Sequence, residues 1–243
     1  MKFAVQLYSV RDHIKNGDDL LDILGKVKEI GFDGVEFAGY YGLSDEAIKA
    51  RLDEVGLVAA GTHTDIKNFE EGNLNETLRF HKVLGCDRIG VGGANTATEN
   101  AFAKVLATMG NANKKLEPEG IKVYFHNHQR EFKRPLFAKS KATIFERLME
   151  VCYLQVDTYW SFCAGIDNYK YLTENKDRIA SIHIKDGVNE KPRALGEGEC
   201  DLQAVIKGAK DIGLDWVVLE NDDPSPNGLE DITRSMKYLK EHF

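Results

Sequence analysis

Short runs of β-branched and aromatic residues recur along the chain, each followed by a longer stretch whose apolar residues fall at helical spacing. The pattern predicts eight strands, at residues 3–7, 34–37, 58–62, 88–91, 122–126, 154–157, 180–184 and 217–220. It predicts eight helices after them, at 18–30, 44–55, 74–84, 97–116, 141–151, 169–175, 201–212 and 229–242. Local signals mark the helix ends: Ser44 stands where a side-chain cap is needed, and Gly31, Gly56, Gly85, Gly120 and Gly213 each close a helix before the next strand.

Strands that read as buried on both faces, alternating with helices, predict a parallel sheet. Eight strand–helix units in 243 residues fit a closed (β/α)8 TIM barrel, which typically takes about 250 residues. An open doubly wound sheet would need a phosphate or dinucleotide fingerprint after its first strand, and Leu7-Tyr8-Ser9-Val10-Arg11 is no such loop. No linker or low-complexity segment divides the chain, so residues 1–243 are read as a single α/β barrel domain.

With 42% hydrophobic and 29% charged residues, the chain can fill that core and solvate its surface. A net charge of −7 disfavours nucleic acid, which is bound through clustered Lys and Arg. No apolar run reaches the roughly 18 residues of a membrane span, and the segment after Met1 reads as a strand, not a leader. Cys86, Cys152, Cys163 and Cys200 show no pairing motif and read as reduced thiols. The expectation is a soluble cytoplasmic protein, with a homo-oligomer left open.

In a parallel barrel the strand C-termini converge on one rim, where function is to be sought. The fifth strand ends in His126-Asn127-His128, the sixth in Asp157-Thr158-Tyr159-Trp160, the seventh in His183-Ile184-Lys185-Asp186 and the eighth in Glu220-Asn221-Asp222-Asp223. Any one of these could simply cap a turn or helix. Four on consecutive strands bring two imidazoles and two carboxylates to one mouth, and burying that much polarity calls for a compensating cation. His126, Asp157, His183 and Glu220 are therefore the candidate ligands of one divalent metal. Mixed nitrogen and oxygen donors suit Mn²⁺, Zn²⁺, Co²⁺ or Fe²⁺ better than Ca²⁺, and Mg²⁺ stays on the list of candidates.

At these residues the chain resembles the sugar phosphate isomerase/epimerase family of the xylose isomerase-like TIM barrel superfamily. The segments Gly31-Phe32-Asp33-Gly34-Val35-Glu36, His126-Asn127-His128, Leu154-Gln155-Val156-Asp157-Thr158, Ile182-His183-Ile184-Lys185-Asp186 and Val217-Val218-Leu219-Glu220 carry the resemblance. It implies a metal held by Glu, Asp, His and Glu on the last four strands. Asp157, His183 and Glu220 match, while His126 stands where those relatives have the first Glu. The superfamily's DNA-cleaving members, with three zinc ions, are disfavoured because the fourth strand supplies no His.

The resemblance implies a metal-dependent isomerase or epimerase acting on a keto-sugar or related small carbohydrate, by proton transfer through an enediolate. A lyase or dehydratase on an inosose or 3-keto-sugar is the alternative, and a non-catalytic sugar-binding barrel the least favoured reading. Glu36, Glu220, His128 and Lys185 are the candidate catalytic residues. Lys185 reaches the rim beside His183 if strand alternation is locally broken, and otherwise only holds acidic neighbours. His63, Trp160, Arg193 and Tyr8 are candidate substrate contacts, Tyr8 and Trp160 as apolar faces for a sugar ring and Arg193 for an anionic group. The Gly196-Glu197-Gly198-Glu199 segment reads as a flexible rim loop.

Overall fold

The computed structural model describes residues 1–137 and 141–243. Eight parallel strands close into a barrel: β1 (Lys2–Gln6), β2 (Gly34–Phe37), β3 (Val58–His63), β4 (Arg88–Val91), β5 (Lys122–His126), β6 (Tyr153–Asp157), β7 (Ile179–Ile184) and β10 (Trp216–Leu219). Closure is made by β1 lying between β2 and β10, with Phe3 opposite Val217 and Val5 opposite Val35. The outer helices are α1 (Gly17–Ile30), α2 (Asp45–Val55), α3 (Leu74–Leu84), α4 (Glu99–Leu116), α5 (Ile144–Met149), α7 (Asn168–Glu174), α8 (Leu202–Asp211) and α9 (Gly228–His242). None of the described helices is long and apolar enough to cross a membrane.

Local chemistry sets the element ends. Asn16, Ser44, Thr98 and Asn227 accept backbone N–H bonds at the starts of α1, α2, α4 and α9, satisfying donors the helix itself cannot. Gly31 closes α1 at φ 111°, a conformation that penalises a Cβ.

Two elements depart from the sequence expectation. A short helix α6 (Thr158–Cys163) starts directly at the end of β6, capped by the Asp157 carboxylate. A two-stranded antiparallel hairpin, β8 (Asp186–Val188) and β9 (Lys191–Arg193), follows β7. The loop beyond it is tied to Asp186, which accepts from the backbone N–H groups of Gly196, Gly198 and Cys200 at 3.0 Å each. Among the described residues the 196–199 segment is thus anchored on one buried carboxylate, which corrects its reading as a flexible loop.

Inside the barrel the side chains lie in layers, as alternation along each strand requires. The lower layer is apolar: Trp216 packs with Ala4, Ala60 and Val218. Two residues further along, the same inward positions turn polar. Ala4 gives way to Gln6, Gly34 to Glu36, Val218 to Glu220, while Tyr124, Gln155 and Ser181 lie beneath His126, Asp157 and His183. All of these are buried.

Candidate metal centre

His126, Asp157, His183 and Glu220 are buried at the ends of β5, β6, β7 and β10, and one donor atom from each lies within 4.8 Å of the others. The four positions proposed from sequence thus share one site. Asp157 serves two purposes with its two oxygens. Oδ1 accepts from the N–H groups of Tyr159 at 3.0 Å and Trp160 at 2.9 Å, capping α6, while Oδ2 faces the cluster, 3.9 Å from Nε2 of His126.

Lys185 lies on the same side as His183, because unbroken alternation returns every second side chain to one face; the expectation that this needs a broken pattern is corrected. Its ammonium is fully buried and pairs with Asp157 Oδ2 at 3.3 Å, Glu220 Oε2 at 3.1 Å and Asp222. Burial alone would lower its pKa, but the three carboxylates outweigh that and raise it, so it stays charged. It does not line the cavity, which moves it from proton transfer to charge compensation.

Glu36 is also corrected. It is fully buried and absent from the cavity wall. Its carboxylate accepts from the Tyr124 hydroxyl, from Gln155 Nε2 at 2.7 Å, from Gln6 Nε2 at 3.1 Å and from His183 Nε2. Burial pushes its pKa up, but His63 and His183 with these hydrogen bonds hold it down at about 2. A carboxylate so saturated is a poor base and a good anchor. Tyr124 reaches it only because residue 90 is glycine: a Cβ there would collide with the tyrosine ring.

With Nε2 of His183 committed to Glu36, the nitrogen left for the cluster is Nδ1, 2.9 Å from Glu220 Oε2. A carboxylate behind a histidine in this way fixes the ring and its tautomer for a metal on the other side. Without a cation, burial lowers the His183 pKa, but Glu220 and Glu36 raise it to about 10. Protonated, His183 donates from Nδ1 to Glu220 Oε2; a cation held by this nitrogen would take the place of that proton. His126 is neutral, its pKa held well below the ordinary value by burial and then by His183. Among the described residues the carboxylates of Glu36, Asp157, Glu220 and the part-exposed Asp222 pair with Lys185 and His183. Carboxylates outnumber these cations, and a divalent cation that replaced the Nδ1 proton of His183 would add net positive charge to the cluster. Donor type, spacing and charge all fit such an ion.

The coupled Glu36–His183 pair makes the stability of the chelator-treated protein pH-dependent. The depressed Glu36 pKa contributes stability that is present above about 4.5 and lost as pH falls toward about 2. The raised His183 pKa contributes stability present below about 6.5 and lost as pH rises toward about 10. Denaturant titrations should therefore show greatest stability between these limits; a Glu36→Gln variant whose profile matches the wild type would refute the pairing.

Above the cluster opens a cavity of about 750 Å³, lined among others by Tyr8, Tyr40, His63, His126, His128 and Glu220. Tyr8, 44% exposed, offers a ring at its mouth, and Arg11 lies 4.0 Å from that ring's centroid. His128 sits 5.1 Å from His126, ring to ring. Two expected substrate contacts are not brought to the cavity wall. Trp160 packs instead against His128, at 6.1 Å, and Lys185, at 5.4 Å. Arg193 lies on β9, its guanidinium donating to its neighbour Pro192 O at 3.2 Å. Asp222, which lines the cavity and pairs with Lys185, was not singled out from the sequence, although alternation two residues past Glu220 marks it.

His63 donates from Nε2 to Gln155 Oε1 at 2.7 Å, which leaves Nδ1 as an acceptor for a ligand hydroxyl. Gly92 leaves that nitrogen room: a Cβ there would stand 2.8 Å from Nδ1. A Gly92→Ala variant should raise KM about tenfold, near the worth of one hydrogen bond, without altering cation binding. Substrate titration of the variant checks it, and an unchanged KM would remove His63 from substrate contact.

A family model described as xylose isomerase-like TIM barrel matches residues 24–242. No curated protein matches the chain in sequence. Among solved structures it is similar to a sugar phosphate isomerase/epimerase from Parabacteroides distasonis, at 20% identity over 99% of this chain and 98% of that one, with a TM-score of 0.80. It is also similar to a D-allulose 3-epimerase from Methylomonas sp. in complex with D-allulose, at 16% identity over 100% and 97%, TM-score 0.74. A third likeness is to an AP endonuclease, family 2, from Brucella melitensis, at 17% identity over 95% and 96%, TM-score 0.74. At such identities the likenesses establish the fold alone. The family match over most of its length makes the chain a member of the xylose isomerase-like TIM barrel family.

Proposed function

We propose that the protein is a cation-dependent isomerase or epimerase of a small keto-sugar. The observation that carries the reading is the buried four-donor cluster of two imidazoles and two carboxylates, opening into a cavity lined by hydrogen-bonding groups and tyrosine rings. Solved structures of the same fold named as sugar phosphate isomerase/epimerase and D-allulose 3-epimerase support a carbohydrate as the substrate class. A divalent cation held by His126, Asp157, His183 and Glu220 would supply Lewis acidity toward a sugar carbonyl and the adjoining hydroxyl, acidifying the C–H between them.

The chain's own groups handle the proton. Glu220 is held through Oε2 by His183 and Lys185, and its Oε1 has no protein hydrogen bond among the described residues. Lys185 and His183 outweigh burial and hold its pKa well below the usual carboxylate value, which keeps it ionised but weakens it as a base. Unlike Glu36, whose two oxygens are both bonded, it keeps one oxygen unbonded, and on that geometry Oε1 takes the proton. His128, at the opposite side of the cluster from Glu220 along the strand order, returns a proton to the other carbon or face. His63 Nδ1 and the ring of Tyr8 orient the sugar.

Incubation of keto-sugars with the protein in deuterated solvent, with Mn²⁺ or Co²⁺ added, should give C–H exchange followed by NMR, and a chelator should stop it. Loss of water from the sugar would point to elimination instead, and binding without exchange would remove the enzyme reading. His126→Ala should weaken Mn²⁺ binding by about tenfold or more, whereas His126→Glu should retain the ion. Normal affinity in His126→Ala would take the β5 ligand away from His126. Glu131 is a poor replacement, since it accepts from His128 N at 2.9 Å and from Arg130 Nε at 2.7 Å.

A further inference from the structure

Three histidines crowd the barrel mouth. His63, His126 and His183 also satisfy the spacing of a metal site, with one nitrogen of each within 4.8 Å of the others. They do not act as an equivalent triad, because Gln155 lies against two of them. Its amide has only one workable orientation. Nε2 stands 2.7 Å from Glu36 Oε1 and 3.0 Å from Ser181 Oγ, and an ionised carboxylate can only accept, so that atom must be the N–H₂. The carbonyl Oε1 therefore faces His63 Nε2 at 2.7 Å and His126 Nδ1 at 3.2 Å. A carbonyl can only accept, so each of those nitrogens carries its proton.

We propose that Gln155 is a positioning residue that assigns opposite tautomers to the two histidines, giving His126 to the cation and His63 to the sugar. Protonated at Nδ1, His126 presents the lone pair of Nε2 to the cluster, on the side of Asp157 Oδ2. Protonated at Nε2, His63 presents Nδ1 toward the space left by Gly92 and has no lone pair to offer a metal from its inner nitrogen. One side chain, itself fully buried, thereby separates the donors into a cation set and a substrate contact. Its orientation is handed up from Glu36, which is fixed from below by Tyr124 and by Gln6, whose own carbonyl is pinned by Tyr8 N at 3.1 Å. The tautomer assignment stands on hydrogen-bond geometry; only its consequence for metal affinity rests on the function proposed above.

The test is long-range ¹H–¹⁵N correlation on chelator-treated protein labelled in histidine nitrogens, at about pH 8, where ordinary imidazoles are neutral. Wild type should show His126 protonated at Nδ1 and His63 at Nε2. Either ring in the opposite tautomer overturns the proposal with no variant needed. Gln155→Met, which keeps the bulk and removes the acceptor, should convert both rings to tautomer mixtures and lower Mn²⁺ affinity by about tenfold or more in a competition titration. Unchanged tautomers in Gln155→Met would overturn the assignment. Wild-type protein with the expected tautomers that takes up neither Mn²⁺ nor Co²⁺ would support Gln155 as the assigning residue and remove the metal reading.

Discussion

A Glu220→Ala variant should bind no divalent cation and catalyse hydrogen exchange at least about a thousandfold more slowly than the wild type. Loss of a ligand removes the Lewis acid, and loss of the base removes proton abstraction; each alone is worth two or more orders of magnitude. Glu220 is where both roles meet, since its Oε2 lies 2.9 Å from His183 Nδ1 and the residue also lines the cavity. The barrel should survive, because the side chain packs at the mouth and not in the apolar layer around Trp216. Metal content by elemental analysis, exchange by NMR and fold by circular dichroism check the three statements separately. Retained cation binding would remove Glu220 from the ligand set, and retained exchange would remove it as the base.

Replacing Lys185 with Met should produce the largest loss of stability at the site. Asp157, Glu220 and Asp222 share this one buried ammonium, and removing one partner of a buried charge cluster typically costs about 3–5 kcal/mol, because the remaining charges stay desolvated. The loss should be greatest in chelator and partly reversed by Mn²⁺, which would restore positive charge to the same carboxylates. Denaturant midpoints with and without Mn²⁺ measure both effects. Equal stability of variant and wild type in chelator would show that the carboxylates take up protons instead, and would undo the charge count that underlies the metal reading.

How much of this was legible in the chain depends on which layer is considered. The barrel strands were readable because their short β-branched and aromatic runs alternate with longer stretches at helical spacing, and β2, β4 and β5 fall where the pattern places them. Helix α6 was not, since Thr158–Cys163 is short, aromatic and β-branched at its start, and owes its existence to the Asp157 cap. The β8–β9 hairpin turns on Asn189 and Glu190 at φ 51° and 61°, and only the asparagine hints at such a turn.

Rim residues were readable because polar side chains at the ends of apolar strands stand out. The layer beneath them was not, as Gln6, Tyr124, Gln155 and Ser181 look like ordinary interruptions of strand sequence. One step of arithmetic would have found three of them: counting back two residues from His126, Asp157 and His183 gives Tyr124, Gln155 and Ser181, on the same face of each strand. Glu36 was seen but misplaced. Its apolar approach signals burial, and burial was taken as activation of a base, whereas Tyr124, Gln155, Gln6 and His183 surround it with donors.

The polar layer under the mouth separates two kinds of inheritance. The donor cluster is braced from below by strand residues, through Glu36 and Gln155, and owes little to the loops above. The rim positions that would meet a sugar, such as Tyr8, Tyr40 and His128, lie on the loops that follow β1, β2 and β5. On the function proposed above, substitutions there would exchange one sugar for another while the donor cluster keeps its shape, so new specificities would be open to this scaffold by drift at the rim without rebuilding its chemistry.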